Sequence, residues 1–374
     1  MILLVSGLAG TALLPGMRSD SWLAAVPFVG HVLVAREAFL TADAAVSEWL
    51  PAAPLLIVLV SSIAWSWLLL RATAAVLTDE DILFRGPDTT TRGFARPAAR
   101  ERPTVAQGIV PVIAGLAAVW YAQGFAPDDP LWAIPLQQAA IVMAPLAVMA
   151  VWQRVDWRRT FAVAPAGGGG LWRTSACVVG AALVGAGLFV IGAAALLAVR
   201  GTAMSDEARL LAEKFLELMQ SRPWWVSWGL MAVLPAIGEE LLFRGWVFAA
   251  FAGAAPARGR LAAAIIAQAA CFAVVHLLPE RMPQTFVLGI VLAVIVVRTG
   301  SLLPAIVGHL AHNSMPLVLM SLTGDATQAA AGPAIPARAL AAAAAAVFIG
   351  GLLIAAGGRR PTGLATRITE EPWR

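Results

Sequence analysis

The chain has 374 residues, of which 60% are hydrophobic and only 13% are charged, and its mean hydropathy is +0.79. Soluble domains carry about 25% charged residues, so this composition excludes an ordinary soluble protein and indicates an integral membrane protein. The net charge of +4 comes from arginines in short loops, without the long basic tract expected of a nucleic-acid-binding protein.

Apolar runs close to the length of a membrane span recur along the whole chain. A helix needs about 20 apolar residues to cross a bilayer, and within lipid only helices or closed barrels satisfy the backbone. The sequence therefore predicts an all-α, polytopic transmembrane helical bundle of about nine spans. These are residues 54–70, 105–125, 131–152, 176–199, 225–251, 261–278, 285–297, 302–322 and 339–356.

Three features outside these spans complete the predicted organisation. Residues 20–39 are apolar but interrupted by Pro27 and Gly30, which suits an interfacial or re-entrant segment. A glycine-rich linker at 164–172 separates two halves of the chain. Arginines are concentrated in alternate loops, and the positive-inside rule then places the C-terminus in the cytoplasm.

Ionisable side chains inside the predicted spans are few, and they are clustered. A charged side chain at mid-bilayer costs at least about 2.5–3.5 kcal/mol, so such a residue indicates function by default. Three of the four histidines of the chain belong to this cluster. The residues are Glu239, Glu240 and Arg244 on one span, His276 on the next, and His309, His312 and Asn313 on a later one.

The two adjacent glutamates are predicted to have different surroundings. Glu240 and Arg244 are four residues apart, so on a helix they share a face and can form a charge-assisted pair. Glu239 points about 100° away and has no cationic partner on its own helix. An unpaired carboxylate in apolar surroundings is a candidate general base.

His309 and Asn313 are also four residues apart, and His276 comes from an earlier span. A carboxylate, two imidazoles and a carboxamide from three helices can activate a water and stabilise a tetrahedral oxyanion, which favours a hydrolytic reaction. Counted from the inner helix ends, Glu239 lies about 18 Å and His309 about 13 Å deep. His276 lies at about 22 Å, which requires a tilted helix or a later helix start.

These residues resemble the three motifs of the CAAX-protease and bacteriocin-processing (CPBP, or Abi) family of intramembrane proteases. Glu239-Glu240-x-x-x-Arg244 is similar to the first motif, Phe272-x-x-x-His276 to the second, and His309-x-x-x-Asn313 to the third. The motifs occur in this order on separate apolar segments within residues 225–322. The resemblance implies a bacterial plasma-membrane endopeptidase acting on membrane or lipidated peptide substrates.

The resemblance also implies roles for single residues. Glu239 and His276 would hold and deprotonate a water, while His309 and Asn313 would stabilise the oxyanion. Glu240, Arg244 and Phe272 would be supporting residues. No cofactor is required by this chemistry; a zinc held by Glu239, His276 and His309 is the alternative, ranked second because the chain has no H-E-x-x-H motif. His312 matches no motif position and is expected to be a polar neighbour.

The N-terminal part of the chain resembles a different family of membrane proteins. The stretches "WLAAVPFVGHVLVAREAF" and "LTDEDILFRG" resemble the C-terminal end of sodium-extrusion-type ABC export permeases. This resemblance implies either a truncated fusion or a module that docks on an ABC transporter subunit as its partner. The expected segments are a permease-like or accessory part at 1–102, a helical hairpin at 103–165, a protease core at 166–358 and a basic cytoplasmic tail at 359–374.

Two other readings of the polar cluster stay open. In the first, the protein is a transport or transporter-accessory protein, and the buried polar residues mark a permeation path. In the second, Glu240 and Arg244 hold the bundle together and the histidines are satisfied core groups. The second reading accounts for one ion pair but gives no reason for Glu239 and three histidines.

Overall fold

The structure is a computed structural model, and it describes residues 29–40, 52–77, 102–122, 129–153, 155–162, 166, 169–200, 213, 217–219, 221–253, 258–276, 281–323 and 335–358. Of these residues 91% are helical, and none of them lies in a strand. The chain divides into two compact units, Met1–Ala95 and Arg96–Arg374. The finer division into hairpin, protease core and tail stays a prediction, and the tail at 359–374 lies outside the described residues.

The N-terminal unit contains two described helices. Helix α1 spans Val29–Leu40 and falls within the segment predicted to be interfacial or re-entrant, and helix α2 spans Ala52–Leu77. The two helices pack against each other, and a hydrogen bond of 3.1 Å joins His31 Nε2 to Ser62 Oγ. Most of the second permease-like stretch, at 78–86, lies outside the described residues.

The described part of the second unit contains eight long helices. Their bounds are α3 Val105–Ala122, α4 residues 130–153, α5 Leu171–Arg200, α6 residues 224–253, α7 Arg258–Val274, α8 Met282–Thr299, α9 Leu302–Thr323 and α10 Ala337–Gly357. Two of them contain wider π-helical turns, at Ala139–Met143 in α4 and at Gly229–Val233 and Leu241–Val247 in α6. Such turns are rare and are often found at functional sites.

The predicted all-α polytopic fold is confirmed. Each of the nine predicted spans falls on one of the helices α2 to α10. Within the described ranges, five helices are long and apolar enough to cross a membrane, namely α5, α6, α8, α9 and α10. Shorter apolar stretches lie in α2, α3 and α7.

Helix α5 forms the most extensive packing of the second unit, against α10 on one side and α9 on the other. Each of these two helix–helix contacts requires a glycine on α5, because an added Cβ atom would meet the backbone of the neighbouring helix. A Cβ atom at Gly185 would collide with the carbonyl oxygen of Gly308 on α9, and one at Gly180 would lie 2.6 Å from the carbonyl oxygen of Gly350 on α10. Backbones that approach this closely are typical of membrane helices, where small residues replace side-chain interdigitation. The Gly308 contact fixes α9 one residue before His309.

A buried apolar cluster surrounds the polar residues of α6, α7 and α9. It includes Phe243, Trp246, Phe272, Leu292 and Val296, each at most 1% exposed. Trp246 also donates its Nε1–H to the carbonyl oxygen of Gln107 on α3, at 2.9 Å. Glu240 and Arg244 of α6 are therefore enclosed by protein rather than exposed to lipid.

Candidate active site

Glu240 and Arg244 form a buried ion pair on α6. Arg244 Nη1 lies 2.7 Å from Glu240 Oε1, and both side chains are completely inaccessible to solvent. The predicted spacing of four residues brings the two groups together even though Leu241–Val247 is π-helical. Arg244 also stacks on an aromatic ring, since its Cζ atom lies 4.1 Å from the centroid of Phe272. These contacts lower the cost of holding a guanidinium in an apolar core.

His309 lies between the two glutamates. Its Nδ1 is 2.8 Å from Glu240 Oε1, and its Nε2 is 3.8 Å from Glu239 Oε2. An ionised carboxylate only accepts hydrogen bonds, so Nδ1 carries the proton of this contact and Nε2 faces Glu239. The sequence predicted only Arg244 as a partner for Glu240. In the structure Glu240 also orients the imidazole of α9.

Glu239 is the more accessible of the two acids, with a side chain that is 13% exposed. Its Oε1 accepts a hydrogen bond of 3.3 Å from Gln138 Nε2 on α4. Sequence reasoning did not identify Gln138. The available signal was a glutamine pair, Gln137 and Gln138, inside the apolar span predicted at 131–152.

His276 reaches the site from the end of α7. The helix ends at Val274, and His276 lies in the turn that follows, where its Nδ1 donates to the carbonyl oxygen of Phe272 at 2.8 Å. That carbonyl only accepts, so Nε2 of the neutral ring keeps its lone pair. Helix α7 begins at Arg258, three residues before the predicted span, so the later helix start that the depth count allowed is not found.

The ring of Phe272 holds the two histidines together. It makes edge contacts with His276 and His309, at centroid distances of 4.8 and 5.7 Å, and with Phe243 at 5.2 Å. Glu239 and His309 are both close enough to His276 to interact with it electrostatically. The structure thus brings Glu239, His276 and His309 to one place.

The other two polar residues of α9 differ in position. Asn313 lies one turn beyond His309 and is half-buried. His312 faces α5, where its Nδ1 donates to the carbonyl oxygen of Gly185 at 3.3 Å and its ring lies edge-on to Phe189. His312 is therefore part of the packing between α5 and α9 and not of the contacts around Glu239.

The zinc alternative would place the ion among Glu239, His276 and His309. Both histidines use Nδ1 in a hydrogen bond and leave Nε2 free, as metal-binding histidines do. However, no three His, Cys, Asp or Glu side chains in the described ranges are grouped closely enough to hold a metal ion. The arrangement does not fit a preformed metal site, and the steps proposed below use no metal.

Residues 221–315 match the family model described as type II CAAX prenyl endopeptidase Rce1-like. This range includes α6, α7, α8 and much of α9, with every predicted site residue, whereas Gln138 lies outside it. It does not reach the N-terminal unit, so the export-permease resemblance gains no support. Neither a curated protein nor a solved structure matches the chain. The match and the apolar helices together support an integral membrane protein with a CAAX-protease-like region.

Proposed function

We propose that the protein is an intramembrane endopeptidase that hydrolyses peptide bonds with a water activated by Glu239. The observation that carries this proposal is the pair of atoms Glu239 Oε2 and His309 Nε2, which face each other at 3.8 Å. This separation is too long for a direct hydrogen bond, and a water molecule can bridge the two atoms. Each group is held on its other side, by Gln138 and by Glu240.

In the first step Glu239 takes a proton from the water. His276 assists, because its free Nε2 accepts the second hydrogen bond of that water. The hydroxide then forms a bond to the scissile carbonyl carbon, and the carbonyl oxygen becomes an oxyanion. Enclosure by Phe272 and Phe243 limits the access of other water, so electrostatic interactions in the site are weakly screened.

His309 and Asn313 stabilise the oxyanion in the second step. His309 lies between two carboxylates and carries a proton on each ring nitrogen from the start of the cycle. Glu240 accepts Nδ1–H, while Nε2–H donates first to the oxygen of the bridging water and then to the oxyanion. The Asn313 amide is a second donor from the same helix face. When the oxyanion collapses, the carbon–nitrogen bond breaks, and Glu239 returns its proton to the leaving amine.

The substrate class follows from the surroundings of the site. Glu239, His309 and Asn313 lie on helices that are long and apolar enough to cross a membrane, and the matched family model is described as type II CAAX prenyl endopeptidase Rce1-like. We infer a membrane-inserted or lipidated peptide segment that is cut near the inner face of a bacterial plasma membrane, with the C-terminus of the enzyme cytoplasmic. The positive-inside arrangement of arginines supports this orientation.

The proposal is tested with purified protein in liposomes, incubated with prenylated CAAX-type peptides and with a library of membrane peptides. We expect cleavage by the wild type and by Asp129→Asn, an exposed carboxylate control on the loop before α4, and none by Glu239→Gln or His309→Ala. Absence of cleavage by the wild type, or its survival in both site variants, would reject the protease assignment.

A chelator added to the same assay tests the zinc alternative. We expect the rate of cleavage to be unchanged after dialysis against a strong chelator. A loss of activity that zinc restores would show instead that Glu239, His276 and His309 close around a metal ion in the working enzyme.

A further inference from the structure

We propose that Gln138 positions Glu239 for proton transfer, so that the site requires a residue from α4, outside the segment that matches the protease family. The inference deepens the proposed function and rests on it. Gln138 is separated from Glu239 by 101 positions in the chain, and it does not contact the reacting atoms of the proposed mechanism other than through Glu239.

The hydrogen bond fixes the rotation of the carboxylate. A glutamate carboxylate turns broadly about its last side-chain bond, and its two oxygens are equivalent when it is free. Gln138 Nε2 holds Oε1 at 3.3 Å, which leaves Oε2 directed at His309 Nε2. Without the amide, no described hydrogen bond selects which oxygen faces the water.

Gly238 allows α4 to come close enough for this contact. A Cβ atom at this position would lie 3.3 Å from Val142 Cγ1, 3.5 Å from Met143 Sδ and 3.6 Å from Gln138 Oε1. The first of these distances is tighter than ordinary packing, so the two helices meet at the residue before Glu239. Glu239 therefore directly follows a point of close contact between α4 and α6.

The π-helical turn of α4 starts immediately after Gln138. It spans Ala139–Met143, and its wider turn brings Gln138, Val142 and Met143 to the side that faces Gly238. An α-helical turn has 3.6 residues and would rotate these residues relative to one another. In an ordinary α-helix Met143 would lie about 140° from Gln138, so the wider turn is what brings Met143 to the face that Gln138 and Val142 share, and this face packs on Gly238.

An amide suits this role better than a cation. Lysine or arginine at position 138 would strongly stabilise the negative carboxylate and weaken it as a proton acceptor. The neutral N–H of glutamine orients the same oxygen with a smaller effect on its charge. Gln138 Oε1 is buried and has no hydrogen-bond partner among the described residues, so the bond to Glu239 is the one that orients the amide.

Infrared spectroscopy and kinetics of the full-length protein in liposomes test the proposal. The matched pair is Gln138→Met, which keeps the length of the side chain but removes the donor, and Gln137→Met, at the exposed neighbouring position. The infrared carboxylate band that is present in the wild type and absent from Glu239→Gln is assigned to Glu239. We expect Gln138→Met to shift this band and to lower kcat by about 10- to 100-fold at unchanged KM, and Gln137→Met to change neither.

Two results would overturn the inference. An unshifted Glu239 band in Gln138→Met would show that the hydrogen bond is absent, and a shifted band with an unchanged kcat would show that it has no role in catalysis. The infrared measurement needs no substrate, so it is independent of the proposed function. If the wild type cleaves nothing, the proposed function fails and the catalytic role of Gln138 fails with it, whereas the band still decides whether the contact exists.

Discussion

Glu240 Oε1 accepts the Nδ1–H of His309 at 2.8 Å, across the interface between α6 and α9. The same oxygen accepts Arg244 Nη1 at 2.7 Å. One buried carboxylate oxygen therefore joins the ion pair that stabilises α6 to the imidazole that faces Glu239. Glu240 stabilises the fold through Arg244 and, in the proposed mechanism, serves catalysis through His309, and substitutions can separate these two roles.

Removing one member of the Glu240–Arg244 pair is expected to destabilise the fold. A buried charge left without its partner costs about 3–5 kcal/mol, whereas replacing both partners by apolar residues is often neutral. Glu240→Leu and Arg244→Leu should each lower the Tm in detergent. The double variant should recover part of this loss, because no unpaired charge remains although His309 Nδ1 has lost its acceptor. The double variant should still be inactive, because His309 has lost its acceptor. Cleavage by the double variant, or a Tm as low as that of the single variants, would contradict this interpretation.

Phe272 is expected to contribute to both stability and activity. Its buried ring contacts both imidazoles and the guanidinium of Arg244, and truncation of a buried phenylalanine to alanine costs about 3–5 kcal/mol. Phe272→Ala should lower the Tm, and Phe272→Leu should keep most of the stability but reduce cleavage. Phe348→Ala is the control, since that side chain is 68% exposed and should change neither measurement.

The sequence predicted the fold and the contact between Glu240 and Arg244 because both depend on local patterns. Apolar runs located the helices, and a spacing of four residues put Glu240 beside Arg244. The contacts of Glu240 with His309 and of Glu239 with Gln138 join positions 69 and 101 residues apart, and no periodicity in a single sequence reports them. The end of α7 before His276 was also not evident, because the apolar run continues past Val274.

Gly185→Ala is expected to disturb the site from a distance. The new Cβ would collide with the carbonyl oxygen of Gly308, so α5 and α9 would have to separate next to His309. We expect a lower Tm and reduced cleavage. Gly351→Ala on α10 is the matched control, since nothing lies within 4 Å of its added Cβ, and it should be neutral or stabilising by up to about 1 kcal/mol. Full activity in Gly185→Ala would mean that the helices do not pack this closely.

His309 and His312 are three residues apart on α9, and their substitutions are expected to differ. His312→Leu removes one hydrogen bond to the Gly185 carbonyl, worth about 0.5–1.5 kcal/mol, and leaves the contacts of Glu239 intact. Cleavage should therefore continue in His312→Leu and be lost in His309→Leu, measured at equal amounts of folded protein. If cleavage continued in His309→Leu and were lost in His312→Leu, the active site would lie instead on the side of α9 that faces α5.

The dispersal of the polar groups along the chain has a consequence for biosynthesis. Gln138, Glu239 and His309 belong to three helices that leave the ribosome far apart in time, and the contacts among them exist only when α4, α6 and α9 have packed together. A partly inserted chain carries the glutamates but not the imidazole that faces them. In the proposed mechanism, completion of insertion is therefore the event that assembles the site.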